Sequence, residues 1–252
     1  MMALGQFVGV PDWRSVTLAL AFALLWIVPL GRGWLRSRWF WLAAAIAAAL
    51  FPFSIAWVQV PAQQALNAMW TGILEMQTIR QYLPLVASPS LAVASAVQES
   101  VKLLVAIMAL RGLGQSRNPS AGVALGAAAG AGYGAFEAFW VFNLVFGSGW
   151  SWAAVQLGGI QALLAFIERF VTVPFHIGSA ALAGYGFATG RPWRFWLLAV
   201  ALHTVANYST IAVQAGLIDY VSVEVWVAAV AVVTIGFALW LRQSLLHGAA
   251  SG

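Results

Sequence analysis

Hydrophobic residues occur along this chain in long runs that few polar residues interrupt. A helix needs about 20 apolar residues to cross a bilayer. Seven runs approach or exceed that length, namely 13–30, 39–60, 90–110, 120–146, 160–189, 195–214 and 221–241. Since lipid offers the backbone no hydrogen-bond partner, such runs form helices. The pattern therefore predicts an all-α fold, a polytopic membrane helix bundle of about seven transmembrane helices.

Two stretches between the runs have a different pattern. Residues 62–82 place polar side chains at helical spacing on one face, and they lie within a region, 61–89, that holds Pro61, Pro84 and Pro89. This pattern predicts an amphipathic helix in the outer membrane interface, and an eighth span facing the bundle interior is the alternative. Residues 147–159 are rich in glycine and tryptophan, which is typical of an outer loop with aromatic anchors.

Composition supports the membrane assignment. The 252 residues are 62% hydrophobic and 8% charged, with a mean hydropathy of +0.87, so a soluble domain would lack polar surface. The absence of cysteine excludes disulfides and thiolate metal sites. Neither an internal repeat nor a soluble domain is visible, so residues 1–252 are predicted to form a single integral membrane domain.

The arginines suggest an orientation in the membrane. They cluster after the first, third, fifth and seventh runs, as Arg32, Arg36 and Arg38, then Arg111 and Arg117, then Arg191 and Arg194, then Arg242. Seven spans place all four clusters on one side, which the positive-inside rule makes cytoplasmic. The N-terminus is then outside and the C-terminus cytoplasmic. This placement explains the net charge of +5 without a nucleic-acid partner, and the expected location is a bacterial or archaeal plasma membrane.

Five polar side chains fall deep within the predicted spans. They are Glu99, Glu137, His176, His203 and Asn207, at depths of roughly 12–27 Å in a hydrocarbon core about 30 Å thick. Because lipid offers them no partners, we expect these side chains from four helices to meet in a shared site. The predicted site occupies the core of the chain, about residues 90–210.

Each of these residues also has a purely structural interpretation. A glycine every fourth residue before Glu137 predicts a close helix contact, and Glu137 alone could make one interhelical hydrogen bond there. His203 and Asn207 share a helix face and could simply pack together. Glu99 and Lys102 could form an intrahelical ion pair, or Lys102 could tune Glu99 as a base. A local ion pair is also predicted between Glu168 and Arg169.

Four short motifs on these spans resemble those of the membrane-embedded proteases of the CAAX-processing type, especially the PrsW and YhfC branches. They are "QESVK" at 98–102, "YGAFE" at 133–137, His176 in "VPFHIGSAALAGYG" and "HTVAN" at 203–207. The resemblance implies an intramembrane endopeptidase that acts on a membrane protein or lipidated peptide. The implied catalytic residues are Glu99, Lys102, Glu137, His176, His203 and Asn207.

The residue types allow two forms of this chemistry. Glu137, His176 and His203 supply one oxygen and two nitrogen ligands, and three protein ligands with an open position are typical of catalytic zinc, Zn²⁺. Glu99 would then be the general base, and Asn207 would stabilise the oxyanion. A metal-free mechanism, in which glutamate and histidine activate water directly, is equally compatible with the sequence.

The first motif departs from the family pattern. Its first position usually carries a second glutamate, and here it is Gln98. A non-catalytic membrane scaffold is therefore an alternative, since the same superfamily resemblance extends to the seven-span scaffold subunit of γ-secretase. A transporter of small solutes or ions is a further alternative, because buried carboxylates and histidines also serve proton relays. The sequence leaves the oligomeric state open.

Overall fold

The computed structural model describes residues 5–250, and within them the chain is helical and contains no strand. The helices are α1 (Gly5–Val8), α2 (Trp13–Gly31), α3 (Arg38–Ser54), α4 (Val60–Ile73), α5 (Met76–Gln81), α6 (Leu83–Gly112), α7 (Pro119–Gly147), α8 (Trp152–Gly158), α9 (Leu164–Ala188), α10 (Pro192–Gln214) and α11 (Tyr220–Ala250). The all-α class is confirmed. The two ends of the predicted domain, 1–4 and 251–252, lie outside the described residues.

Six helical stretches of the described chain are long and apolar enough to cross a membrane. They are Trp13–Gly31, Arg38–Ile73, Leu83–Gly112, Trp152–Ala188, Pro192–Gln214 and Tyr220–His247. The protein is therefore an integral membrane protein. The remaining predicted span is α7, which has 29 residues and a length of about 43 Å. This glycine-rich helix is not among the six stretches. Every residue from 121 to 134 is nevertheless buried, so α7 forms the centre of the bundle.

Several predicted boundaries were wrong, and proline accounts for two of the differences. The second span was expected to end at residue 60, but α3 continues through a π-helical turn, Ile55–Gln59, into α4. Pro61 occupies the first turn of α4, where the wider turn before it accommodates the missing N–H. α6 begins at Leu83 rather than residue 90, because Pro84 lies in its first turn. The expected loop 147–159 contains the short helix α8.

The glycines of α7 bring it against α9, as the four-residue spacing predicted. A Cβ on Gly122 would lie 2.6 Å from the carbonyl oxygen of Gly184, and a Cβ on Gly126 or Gly130 would collide with α9 carbonyls. Only glycine permits this approach of the two backbones. The contact fixes the next turn of α7, which carries Glu137, opposite the middle of α9.

The arginine clusters meet at one end of the bundle. Arg242 of α11 donates hydrogen bonds to the Arg32 carbonyl after α2 and to Ser120 at the start of α7. The guanidinium of Arg117 lies beside Gly190, at the turn between α9 and α10. These contacts join the fourth cluster to the first and the second to the third, and Ser120 lies three residues after Arg117. The assignment of this end to the cytoplasm stays a prediction.

Candidate functional site

Glu137 of α7 contacts two polar side chains of α9. Its Oε1 lies 2.9 Å from Arg169 Nη1, and its Oε2 lies 2.7 Å from His176 Nε2. Arg169 and His176 are seven residues apart, which is two helical turns, so both face α7. The glutamate therefore lies between an arginine and a histidine, with 20% of its side chain exposed.

Glu99 and Lys102 of α6 form the buried centre of the site. Both side chains are 0% exposed, and Lys102 Nζ donates to Glu99 Oε1 at 2.6 Å. The same carboxylate oxygen lies 2.7 Å from His203 Nδ1 on α10 and accepts from Ser179 of α9 at 3.2 Å. Lys102 Nζ also lies 3.0 Å from His176 Nδ1. The intrahelical ion pair is thus present, and it is joined to two further helices.

These contacts make one continuous polar network across four helices. Its order, from α9 to α10, is Arg169, Glu137, His176, Lys102, Glu99 and His203. His176 lies between Lys102 and Glu137, and His203 binds Glu99. Each charged group of the network has an opposite charge or a hydrogen-bond partner within 3 Å. Such pairing is what makes burial of these groups in a membrane interior tolerable.

The partners determine which nitrogen of each histidine carries a proton. An ammonium group only donates, so His176 Nδ1 accepts from Lys102, and Nε2 carries the hydrogen that faces Glu137. An ionised carboxylate only accepts, so His203 Nδ1 donates to Glu99. In neutral His203 the other nitrogen, Nε2, is then a free acceptor. The two histidines hold opposite tautomers.

A small cavity of about 60 Å³ lies beside this network. Its lining includes Glu137, His176, His203 and Asn207, together with Gln98. A cavity of this size has room for a few water molecules and is smaller than a site for a drug-sized ligand. Because its walls are polar, the cavity suits water and a single polar group of a larger molecule.

The six predicted site residues are thus close together, but they divide into two sets. Glu137, His176, His203 and Asn207 line the cavity, whereas Glu99 and Lys102 lie behind it with no exposed surface. Glu99 contacts one cavity residue directly, His203, and it is connected to a second one, His176, through Lys102. The roles of these residues in any reaction stay predictions.

The spacing of the donors bears on the predicted metal. One ligand atom from each of Glu99, His176 and His203 lies within 4.8 Å of the others, so the group that the structure gathers contains Glu99 where the sequence suggested Glu137. However, Lys102 Nζ is 2.6 Å from the Glu99 oxygen and 3.0 Å from His176 Nδ1. The ammonium group already occupies one atom of two of these three residues, whereas Glu99 Oε2 has no partner among the described residues. A metal ion would have to displace Lys102 or bind this second carboxylate oxygen, and the predicted metal stays a prediction.

Sequence reasoning missed Arg169 and Ser179. The expected ion pair between Glu168 and Arg169 is present at 2.6 Å, but Arg169 is also the partner of Glu137. Ser179 donates to Glu99 and accepts from Lys102. Both residues share the face of α9 that carries His176, at seven and three residues from it, and this spacing was the signal available in the sequence.

Gln98 is also part of the cavity wall. Its Nε2 donates to Gln59 Oε1 at 3.0 Å, and Gln59 lies in the π-helical turn before α4. Gln98 Oε1 is buried and has no partner among the described residues. The position that departs from the family pattern therefore holds a neutral amide at the cavity, oriented by a second amide.

Comparisons with protein-family models, with curated proteins and with solved structures found no match to this chain. The geometry of the site is therefore the basis of the functional proposal.

Proposed function

We propose that the protein is an intramembrane endopeptidase that hydrolyses a peptide bond of a membrane-associated substrate. The observation that carries this proposal is the Glu99–His203 contact, in which a fully buried carboxylate holds Nδ1 of a histidine that lines the cavity. A carboxylate in this position fixes the tautomer and orientation of an imidazole, so that Nε2 acts as a general base. Glu99 thus takes an orienting role, since its own oxygens do not reach the cavity.

The reaction then needs only water and the residues of the network. His203 Nε2 takes a proton from a water molecule in the cavity while the water oxygen bonds to the scissile carbonyl carbon. Asn207 lies one turn from His203 on the same wall, and its amide N–H groups stabilise the oxyanion that forms. As the carbon–nitrogen bond breaks, protonated His203 returns the proton to the leaving amine. The products are a carboxylic acid and an amine.

The second half of the network positions the opposite wall. His176 is held between Lys102 and Glu137, and Arg169 holds Glu137. This wall presents an oriented glutamate and an oriented imidazole to the cavity, which place the attacking water. The proposed mechanism uses no metal, in keeping with the position of Lys102. Stoichiometric zinc in the purified protein, lost in His176→Ala or His203→Ala, would contradict this metal-free form.

The test is a cleavage assay with purified protein in liposomes that contain membrane-tethered reporter peptides. We expect His203→Ala to lower kcat by about 10³-fold or more, since it removes the proposed base. His247→Ala is the matched control, because His247 lies on the exposed last turns of α11, far along the chain from the network. Full activity in His203→Ala refutes the proposed role of His203.

A non-catalytic scaffold is the second candidate, and the burial of Glu99 and Lys102 favours it. A closed ion pair with 0% exposure suits a bundle whose charges specify helix packing. In that case the reporter peptides stay intact with wild-type protein, while the same substitutions still lower its thermal stability. Cleavage by the wild type that His203→Ala abolishes excludes the scaffold.

A further inference from the structure

A second groove lies between α6 and α10, beside the first two turns of α10. It has a volume of about 380 Å³, within the range of about 300–1,000 Å³ that is usual for ligand sites. Its lining is almost wholly apolar and consists of Ser100, Leu103, Leu104, Ile107, Phe187, Pro192, Trp193 and Trp196. The hydroxyl of Ser100 already accepts a hydrogen bond from Trp196 Nε1 at 3.1 Å. The groove therefore suits a hydrocarbon chain.

A basic, open surface pocket adjoins this groove. It has a volume of about 460 Å³ and is lined by Arg191, Arg194 and Gly190, and it shares Pro192 and Trp193 with the groove. Both arginines are exposed, and neither guanidinium has an ion pair or hydrogen bond within the described part of the chain. The guanidinium of Arg117 also lies beside Gly190. Two unpaired cations and a third neighbouring one favour an anion at this position.

The start of α10 adds to the positive potential. Arg191 is its N-cap residue and makes no side-chain capping bond, and Pro192 occupies the first turn. The backbone N–H groups of Trp193 and Arg194 precede the first hydrogen bond of the helix, which Phe195 donates to the carbonyl of Arg191. Both residues line the basic pocket, and the helix dipole favours negative charge at this end of α10.

We propose that this composite site binds an anionic phospholipid. The phosphate lies against Arg191 and Arg194, and one acyl chain lies in the groove between α6 and α10. Trp193, which is 72% exposed, sits at the junction of the two parts, where an aromatic ring is typical of the membrane interface. Basic pockets between membrane helices on the cytoplasmic side commonly hold anionic head groups, and the arginine clusters are predicted to face that side.

The site touches the helices of the polar network without sharing its side chains. Ser100 follows Glu99 on α6, and Trp196 lies two turns before His203 on α10. An acyl chain packed between them stabilises the contact of α6 with α10, across which Glu99 binds His203. The lipid proposal nevertheless stands on the groove and the arginines alone, so it does not depend on the proposed hydrolysis.

The test compares lipids on the purified, delipidated full chain in maltoside detergent, with binding measured by native mass spectrometry. We expect phosphatidylglycerol to bind about 30-fold more tightly than phosphatidylcholine of the same acyl chains, since each arginine contributes roughly fivefold. In the variant with both Arg191→Gln and Arg194→Gln this preference disappears. The control carries Arg36→Gln and Arg38→Gln, which removes two exposed arginines of the same end, and it keeps the preference.

Two further measurements separate the parts of the site. Ile107→Trp fills the groove but leaves the arginines in place, and we expect it to weaken phosphatidylglycerol binding by tenfold or more. Inorganic phosphate should give no protection against thermal unfolding at concentrations where phosphatidylglycerol does. Equal binding of the two phospholipids, equal loss in the control, full binding by Ile107→Trp, or protection by phosphate alone each overturns the proposal of a lipid site.

Discussion

The buried Glu99–Lys102 pair allows a quantitative test of the network. The two charges are 2.6 Å apart and 0% exposed, and at an effective dielectric constant of about 20 their attraction is roughly 6 kcal/mol. Desolvation offsets much of this attraction, so the pair adds little net stability over an uncharged pair of similar shape. Removing one partner is different, because the other charge is then left buried. We expect Lys102→Met to lower the free energy of unfolding by about 3–5 kcal/mol.

The informative variant replaces both charges. Glu99→Gln with Lys102→Met leaves no uncompensated charge, and it should be more stable than the sum of the single losses predicts, with a coupling free energy of about 2 kcal/mol or more. Equilibrium unfolding in mixed micelles, over a titration with sodium dodecyl sulfate, measures all four proteins of the cycle. Additive losses, within about 0.5 kcal/mol, would refute the reasoning that these two groups compensate each other.

The same lysine variant tests the argument about the metal. Lys102→Met removes the ammonium from between Glu99 and His176 while it keeps the three donors in place. We therefore expect this variant to bind Zn²⁺ more tightly than the wild type, by tenfold or more, in a titration that follows competition with a chromophoric chelator. Tighter binding by the wild type would show that Lys102 does not exclude the ion.

Three other substitutions address positioning, packing and oxyanion stabilisation. Arg169→Gln removes the ion pair with Glu137 of α7 and should lower kcat by about 10²-fold, with partial recovery in Arg169→Lys. Glu168→Gln removes only the local partner of Arg169 and should lower kcat less. Equal losses would contradict the bridging role. Gly130→Ala should lower the free energy of unfolding by at least about 1–3 kcal/mol, because the new Cβ meets an α9 carbonyl. The control is Gly236→Ala, where the Cβ has open space and the better helix propensity of alanine adds up to about 1 kcal/mol. Thermal unfolding measures both variants. A neutral effect at Gly130 would refute the close contact. Asn207→Ala should lower kcat by about 10²–10³-fold with little change in KM, and an effect on KM alone would exclude oxyanion stabilisation.

The candidate site was largely predictable as a set of residues, but not as a set of contacts. Depth along each span follows from residue count, so the convergence of Glu99, Glu137, His176 and His203 could be predicted from the chain. Which carboxylate binds which histidine could not. Those contacts join residues 39 and 104 positions apart, namely Glu137 with His176 and Glu99 with His203, and they depend on the rotation and axial shift of whole helices.

The part played by each charged residue depended on the same packing. Their spacing in the sequence predicts that Glu99 and Lys102 form a local pair. Only the approach of α9 and α10 makes them the centre of the network. The sequence likewise predicts Arg169 as the local partner of Glu168. Only the contact of α7 with α9 brings Arg169 to Glu137. Spacing along the chain predicts which residues are neighbours on the same helix, but it does not predict which residues of another helix they contact.

By itself, the sequence determined the helical class, the membrane environment and the places where polar groups enter the bilayer. These properties can be predicted from short stretches of sequence. In lipid, each apolar run must satisfy its own backbone hydrogen bonds, and each charge inside the bilayer is costly whatever its neighbours along the chain. The tertiary structure alone decided that an ammonium group lies between Glu99 and His176, that Glu99 lies behind His203, and that an apolar groove meets free arginines. These features depend on the distances between helices. The packing of the glycine faces sets those distances, and hydrophobic periodicity does not predict them.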